Sequence, residues 1–223
     1  MDSKKYYEAY DERYKTAHKE GIRWFGDESS PIVSETISKY QITKDSRILE
    51  IGCGEGRDSF KLLENGYNLL AIDISTEVID YCRKLLSTHK DSFKVLNCIT
   101  DSLEENYDFI YAVAVIHMLV LDEDRNGFYR FIHNHLSLNG IALICSMGNG
   151  EQELQSDIST AFELQEREHD GKQLFVAGTS CRMVNNETFE NELIQNDLTI
   201  IERGQTSVPG QFSEMMYAIV KRK

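Results

Sequence analysis

Three glycines and an aspartate stand at spacings that suit the binding of a nucleoside. Gly52, Gly54 and Gly56 follow an apolar run that begins at Ile48, and Asp73 stands near the end of the next apolar run. Glycine lets a ligand lie against the backbone, and a helix that begins after it presents free N–H groups. An acidic side chain about twenty residues further on can accept hydrogen bonds from both hydroxyls of a ribose. The pattern therefore predicts a site for a ligand that contains a nucleoside.

A sheet flanked by helices is needed to position these residues. The candidate strands, which are nearly continuously apolar as in a buried parallel sheet, are 47–52, 68–73, 93–98, 108–115 and 141–147. Stretches with helical spacing lie between them at 57–66, 75–86 and 125–140, the first and last ending on Asn-Gly. The alternation predicts a doubly wound α/β fold, with the glycines and Asp73 at the carboxyl edge of the sheet.

The C-terminal part departs from this alternation. A helix is expected over 186–197, followed by strands at 198–207 and 213–222 that only "VPGQF" separates. Such a short connection predicts an antiparallel hairpin at a sheet edge. Before it, 162–184 has the pattern of another hairpin that turns at Asp170-Gly171. We expect this second hairpin to be an insertion.

The glycine spacing disfavours a dinucleotide. Dinucleotide sites have the pattern G-x-G-x-x-G, whose last glycine lets the helix pack closely on the strand. Here the pattern is G-x-G-x-G, and Arg57 stands where that last glycine would be. Its side chain would crowd the contact between helix and strand.

The acid-rich composition limits the partners of the protein. Asp and Glu number 37 and Lys and Arg 24, which gives a formal net charge of −13. Such a surface repels phosphate backbones, so nucleic acid is not expected as the main partner; the alternative is that the excess of acidic residues merely keeps the protein soluble.

The five cysteines lack the spacing of a metal site, so no metal is expected. No apolar run approaches the ~20 residues of a transmembrane helix, and the charged start is unlike a signal peptide, so we expect a cytoplasmic protein without a membrane partner.

Four motifs together resemble those of class I S-adenosylmethionine-dependent methyltransferases. They are "ILEIGCGEGRDS", "AIDIS", "YDFIYAVAVIHML" and "LSLNGIALI", in this order within residues 42–147. The glycine stretch and the "DS" after it are also similar to the tellurite and thiopurine methyltransferase branch. The resemblance implies a Rossmann-like, mostly parallel seven-stranded sheet with a reversed last strand and helices on both faces. It also implies S-adenosyl-L-methionine as the cofactor and S-adenosyl-L-homocysteine as the product.

The resemblance assigns cofactor contacts residue by residue. The methionine and ribose portions would be surrounded by Glu50, Gly52, Cys53, Gly54 and Gly56. Arg57 would approach the methionine carboxylate, and Asp73 would hold the ribose hydroxyls. The adenine would contact Ile74, Cys98 and Ile99, and the underside of the cofactor would lie on Ala112 and Val113. Cys98 stands where family members often have an aspartate, which leaves the adenine to backbone groups or Asp101. The alternatives are a helix-capping Asp73, a surface Arg57 paired with Glu55 or Asp58, and ordinary core positions for Cys98 and Ile99.

Several side chains are candidates for contact with the methyl acceptor. Tyr6, Tyr10 and Tyr14 recur every four residues and would share one helical face, which either lines the acceptor site or docks on the core. Trp24, in a glycine-flanked loop, is a candidate lid residue whose ring would attract a cation. His117 is a candidate base or acceptor contact, and Arg182 a candidate partner for an acceptor carboxylate; the alternatives are a structural histidine and a solvated arginine.

The predicted organisation is a single methyltransferase domain over residues 1–223. It divides into an N-terminal helical cap (1–40), a cofactor-binding core (41–147), a hairpin insertion near the substrate (148–185) and a closing helix and hairpin (186–223). The predicted function is methyl transfer to a nitrogen, oxygen or sulfur atom of a small molecule, by a monomer or homodimer. The alternatives are an NAD-dependent oxidoreductase and a non-catalytic module that binds S-adenosylmethionine.

Overall fold

Strands and helices alternate along most of the chain in the computed structural model, which describes residues 4–169 and 171–223. The strands are β1 (Ile48–Ile51), β2 (Leu69–Asp73), β3 (Phe93–Val95), β4 (Tyr107–Val113), β5 (Leu136–Met147), β6 (Leu154–Gln155), β7 (Leu164–His169), β8 (Lys172–Ala177), β9 (Arg182–Met183), β10 (Leu198–Val208) and β11 (Phe212–Arg222). The α-helices are α1 (Ala9–Lys19), α2 (Pro31–Lys39), α3 (Arg57–Glu64), α4 (Thr76–Leu85), α5 (Asp122–His135) and α6 (Asn186–Gln195). Short 3₁₀ helices cover Tyr6–Glu8, Ser87–Ser92, Ile116–Met118 and Ile158–Thr160.

The largest sheet has seven strands in the order β10-β11-β5-β4-β1-β2-β3. β1 to β5 pair in parallel with one another. β11 runs antiparallel to both β5 and β10, with Met215 opposite Met147 at the carboxyl end of β5. The predicted doubly wound α/β sheet with a reversed last strand is therefore confirmed, as is the terminal hairpin.

Helices bury apolar side chains on both faces of this sheet. On one face, α2 and α4 pack Ile37 and Ile79 into a core that includes the α3 residue Leu63. On the other face, α5 and α6 pack Phe128 and Leu193 into a second core. Because both cores hold the strands, the loops at the carboxyl edge of the sheet leave from fixed positions.

The boundary between α5 and β5 differs from the predicted one. The helix expected to end at Asn139-Gly140 ends at His135, and β5 begins at Leu136. A Cβ added to Gly140 would lie 2.9 Å from the Tyr107 carbonyl oxygen, beside a register shift between β4 and β5. Gly140 thus allows two strands to approach closely, and it does not end a helix.

The predicted insertion hairpin is present as β7 and β8, which pair from Leu164–Ala177 to His169–Lys172. Its turn includes Asp170, which lies outside the described residues. The second strand ends at Ala177, and β9, further along, pairs with β6 instead. β8 contributes Leu174 and Val176 to a small core with α1. Among the residues described, no helix combines the length and apolar character needed to cross a membrane.

Candidate active site

A cleft lies at the carboxyl ends of β1, β2 and β4. It contains about 1010 Å³ of empty space, with its open mouth included. Its floor is formed by the glycine loop and the strand ends, and its other walls by the N-terminal segment, the residues after β4 and the turn between β10 and β11. The cleft therefore lies where a nucleoside-binding site is expected in this type of sheet.

The glycines adopt backbone conformations that other residues rarely tolerate. Gly52, Gly54 and Gly56 have φ angles of +71°, +51° and +81°. A Cβ on Gly52 would collide with a methyl group of Val115, and one on Gly56 would lie 2.5 Å from the Phe60 ring. Gly52 and Gly54 line the cleft, whereas Gly56 lies behind it as the N-cap of α3. The cluster thus bends the chain sharply and leaves the backbone open to a ligand.

The Asp73 carboxylate is held in place at the end of β2. Its oxygens accept hydrogen bonds from the Gly54 N–H and the Ser75 N–H, each at 2.9 Å. The capping oxygen of α4 is the Ser75 hydroxyl, which accepts from the Val78 N–H at 3.3 Å, so the helix-capping alternative for Asp73 is wrong. Loss of solvation in the cleft raises the pKa of Asp73 to about 6. The group is therefore mostly ionised at neutral pH and available to hydroxyl donors.

Glu50, at the inner end of the cleft, is a buried carboxyl group. The Ser59 hydroxyl donates a hydrogen bond to it. Desolvation, followed by the charge of Asp58, raises the pKa of Glu50 to about 8. Glu50 thus holds its proton at neutral pH, and a cationic group beside it would favour release of that proton.

Arg57 lies between the N-terminal segment and the terminal hairpin. Its guanidinium donates hydrogen bonds to the Gln211 side-chain oxygen and to the Ser30 hydroxyl, the latter at 3.0 Å, and it pairs with Asp58 at 3.3 Å. Its Nε and the Gln211 Nε2 are buried without a hydrogen-bond partner. Because buried donors are normally paired, these two atoms indicate a place for an acceptor group such as a carboxylate.

The other predicted cofactor residues differ in their positions. Those that line the cleft are Cys53, Ile74, Cys98, Ile99 and Val113. Ala112 is fully buried in a core and does not line it. Burial raises the pKa of the Cys98 thiol to about 12, so it is a neutral group. Asp101 is exposed and accepts a hydrogen bond from the Asn97 N–H, and it is not among the described lining residues. The contacts of all these residues with a cofactor stay predictions.

Of the three tyrosines predicted to share a face, Tyr10 and Tyr14 line the cleft and Tyr6 does not. The 3₁₀ helix that precedes α1 carries Tyr6 away from that face. The Tyr6 hydroxyl donates to the Asp124 carboxylate at 2.7 Å and accepts from the Val120 N–H at 2.9 Å. Tyr6 thus joins the N-terminal segment to the start of α5.

Trp24 and Arg182 also lie outside the cleft lining. The Trp24 ring packs 5.0 Å from the Arg13 guanidinium and 5.2 Å from the His169 ring. Arg182 forms an ion pair with Asp122 at 2.5 Å and donates to the Val120 carbonyl oxygen at 2.8 Å. Both side chains are therefore engaged in tertiary contacts, and their contacts with an acceptor stay predictions.

His117 lies beside the cleft without being one of its lining residues. Its ring is 5.8 Å from the Phe212 ring, and its Nδ1 is buried without a hydrogen-bond partner. Burial, with a smaller effect of the Arg125 charge, lowers the pKa of His117 to about 4. The imidazole is therefore neutral at physiological pH, and its role as a base stays a prediction.

The sequence-based prediction missed several lining residues. They are Tyr7, Glu55, Asp58, Asn97, Val115, Met118, Leu119, Gln211 and Phe212. A signal for Gln211 and Phe212 was present: β11 runs antiparallel to β5, so the turn before it must lie at the carboxyl edge of the sheet.

Glu55 connects the glycine loop to the N-terminal segment. It is 1% exposed, and its carboxylate accepts hydrogen bonds from the Trp24 N–H at 2.9 Å and the Phe25 N–H at 2.7 Å. His18 Nε2 lies 2.9 Å from the same carboxylate. The loop between α1 and α2 is thereby held over the cleft.

These features fit S-adenosylmethionine better than a dinucleotide. The donors of Arg57 and Gln211 suit the carboxylate of its methionine part, and Asp73 suits its ribose. Glu50 and Asp58 lie near the start of α3, where a dinucleotide fold would bind its pyrophosphate. Two buried acids there favour a cationic ligand and oppose an anionic one.

Comparison with known proteins agrees with this assignment. A family model described as a methyltransferase domain matches residues 49–142. The chain is 25% identical over 117 residues to the probable S-adenosyl-L-methionine-dependent methyltransferase TehB of Haemophilus influenzae (strain 10810), covering 51% of this chain and 40% of that protein. It is 28% identical over 134 residues to the malonyl-(acyl-carrier protein) O-methyltransferase of Bacillus anthracis, covering 59% of this chain and 48% of that protein. The matches thus span less than half the length of either relative.

A solved structure extends the likeness to nearly the whole fold. The 1,6-didemethyltoxoflavin-N1-methyltransferase of Burkholderia thailandensis, with 1,6-didemethyltoxoflavin and S-adenosylhomocysteine bound, aligns with a TM-score of 0.72. The alignment has 13% identity and covers 98% of this chain and 89% of that one, so it shows a shared fold. The family match includes the glycine loop and Asp73, and the sheet has the reversed last strand that the resemblance implies. Residues 49–142 are therefore similar to a methyltransferase domain, and the chain has the fold of known S-adenosylmethionine-dependent methyltransferases.

Proposed function

We propose that this protein is an S-adenosylmethionine-dependent methyltransferase that acts on a small-molecule acceptor. One observation carries the proposal: Gly54 and Asp73 are hydrogen-bonded to each other in a cleft that is also lined by many aromatic and apolar side chains. The hydrogen-bonded pair suits the ribose of the methyl donor, and the aromatic and apolar side chains suit the exclusion of water from the reacting atoms. The loop between α1 and α2, which Glu55 holds at the cleft, narrows access and favours a small acceptor over a macromolecule.

The residues have separate roles in this proposal. Asp73 accepts the ribose hydroxyls, Arg57 and Gln211 bind the methionine carboxylate, and Cys98 and Ile99 flank the adenine. When bound, the donor supplies an electrophilic methyl group on a positively charged sulfur. The chain aligns the acceptor with that methyl group and keeps water out, which can contribute several kcal/mol to the lowering of the barrier.

Calorimetry with S-adenosylmethionine, S-adenosylhomocysteine and NAD tests the binding part of the proposal. We expect micromolar binding of both sulfur nucleosides and no binding of NAD. Asp73→Ala should lower the affinity for S-adenosylhomocysteine about 10- to 100-fold, because a hydrogen bond to a charged group contributes about 1.5–3 kcal/mol. Asp80→Ala, an exposed position on α4, is the matched control. Binding of NAD alone would favour the oxidoreductase alternative.

A second measurement separates an enzyme from a module that only binds the donor. Purified protein with isotopically labelled S-adenosylmethionine and a pool of small molecules should form labelled methylated product. An Asp73→Ala sample is the negative control. Tight binding with no transfer to any pool fraction would support the non-catalytic alternative.

A further inference from the structure

The lining of the cleft combines two kinds of side chain. Among the described lining residues, the carboxyl and guanidinium groups are those of Glu50, Glu55, Arg57, Asp58 and Asp73, all near the glycine loop and the end of β2. Many of the other lining side chains are aromatic or apolar, among them Tyr10, Tyr14, Phe25, Met118 and Phe212, which we call the aromatic wall. The donor uses Arg57 and Asp73 in the proposed function, so the acceptor must contact the aromatic wall.

The aromatic wall is built from distant parts of the chain. The Tyr14 ring lies 6.3 Å from the Tyr10 ring and 6.2 Å from the Phe25 ring. Phe25 precedes Gly26, which approaches Gln211, the neighbour of Phe212 in sequence. Such a surface suits the face of a flat molecule.

The charged groups of the cleft are already engaged by other parts of the chain. Glu55 is bound by the N–H groups of Trp24 and Phe25. Asp58 accepts from the N–H and hydroxyl of Ser30, the N–H at 2.6 Å. Arg57, the one cation among the described lining residues, is held on the donor's side by Gln211. No cationic side chain of this described lining is left to bind a carboxylate or phosphate on the acceptor.

The charge balance of the cleft also selects against an anionic nucleophile. The carboxylates of Glu55, Asp58 and Asp73 face a single guanidinium, and Glu50 adds a protonated carboxyl group, within a chain of net charge −13. A thiolate or phenolate entering this site would be repelled and would lose its hydration. A neutral nucleophile that becomes positive during the reaction is instead stabilised by the acids and by the ring faces.

We propose that the acceptor is a small, planar, uncharged aromatic or heteroaromatic amine that is methylated on nitrogen. This inference rests on the proposed function. The nitrogen lone pair forms the new N–C bond, the C–S bond breaks with its electron pair going to sulfur, and the positive charge passes to the acceptor, which then loses a proton to solvent. A neutral nitrogen needs no base for the attack, in agreement with the position of His117 outside the lining.

Binding of matched probes to the protein saturated with S-adenosylhomocysteine tests the inference. The probes are benzimidazole and benzimidazole-5-carboxylate, which share one ring system and differ in charge. We expect benzimidazole to bind at least tenfold more tightly in calorimetry. Equal affinity, tighter binding of the carboxylate, or no binding of either probe would overturn the inference.

A variant that adds a cation to the aromatic wall gives a second readout. Met118→Lys should reverse the order of the two affinities, because its ammonium group supplies the partner that the carboxylate lacks. Leu138→Lys, 81% exposed on β5, should keep the wild-type order. An unchanged order in Met118→Lys would count against the inference. Failure of S-adenosylhomocysteine to bind would instead overturn the proposed function, so the two failures are distinguishable.

Discussion

The Asp73 carboxylate accepts a hydrogen bond from the Gly54 N–H, which joins the end of β2 to the loop that follows β1. The second oxygen of Asp73 accepts from the Ser75 N–H, so the carboxylate has one fixed orientation. The acid and the glycine backbone are therefore prearranged before any ligand binds, which reduces the entropy lost on binding.

Binding of S-adenosylhomocysteine should weaken as the pH falls through about 6. The pKa of Asp73 is raised from 3.8 to about 6 by desolvation. Below that pH the carboxyl gains a proton, loses its charge and accepts fewer hydrogen bonds. We expect the affinity at pH 5 to be about tenfold lower than at pH 7.5, since about nine-tenths of the carboxyls would be protonated. Calorimetry at both pH values measures this.

Asp73→Asn is the control for this pH dependence. Its amide does not titrate, so its weaker affinity should be the same at pH 5 and pH 7.5. If the wild-type affinity did not change with pH either, the Asp73 carboxylate would not contribute to binding through its charge.

Gly52→Ala should destabilise the fold more than Gly21→Ala. Both glycines have a similar φ, +71° and +69°, so both substitutions strain the backbone by about 1–3 kcal/mol. Only at Gly52 would the new Cβ collide with Val115, which adds about 1–3 kcal/mol; at Gly21 nothing lies within 4 Å. Urea unfolding measures the two free energies. Equal losses would mean that the loop moves away from Val115 at no cost.

The sequence was sufficient to predict the floor of the cleft. The glycine loop, Asp73 and the parallel strands depend on local signals: apolar runs, glycine spacing and the order of elements. For such features the chain direction alone determines which residues meet at the carboxyl edge. The cofactor candidates therefore lie together, apart from Ala112 and Gly56, which point away or lie behind the loop.

The walls of the cleft were harder to predict because they depend on tertiary contacts. Tyr6 lies outside because a 3₁₀ helix precedes α1, and its hydroxyl bonds Asp124, more than a hundred residues away. Arg182 is neutralised by Asp122, which no spacing rule connects to it. A periodicity of four predicted the shared face of Tyr10 and Tyr14, and it could not predict where the helix begins.

Arg57→Ala should weaken binding only of ligands that carry the methionine carboxylate. S-adenosylhomocysteine has this group, and 5′-methylthioadenosine lacks it while keeping the adenine and ribose. We expect the variant to bind S-adenosylhomocysteine about tenfold or more weakly, as for the loss of a charge-assisted hydrogen bond. Its affinity for 5′-methylthioadenosine should stay within about twofold of the wild-type value.

Gln211→Ala should act in the same direction with a smaller effect, because it removes the partner that orients Arg57. An equal loss of affinity for both ligands in Arg57→Ala would contradict the role of Arg57 in binding the methionine carboxylate. It would indicate that Arg57 acts by holding Ser30 and the terminal hairpin in place.

Glu55→Ala should release the loop between α1 and α2 from the cleft. The substitution leaves the Trp24 and Phe25 N–H groups without their acceptor, and each orphaned buried donor destabilises the closed loop by about 1–3 kcal/mol. Trypsin cleavage after Lys19 or Arg23 should then be at least about tenfold faster, since proteolysis follows the population of the open form. Mass spectrometry of the fragments identifies the site.

Glu20→Ala, at an exposed position just after α1, is the matched control and should leave the cleavage rate unchanged. Saturation with S-adenosylhomocysteine should slow cleavage of the wild-type loop, because the ligand occupies the cleft that this loop covers in the proposed arrangement. If Glu55→Ala were cut no faster than the wild type, the aromatic contact of Phe25 with Tyr14, at 6.2 Å, would be sufficient to hold the loop closed.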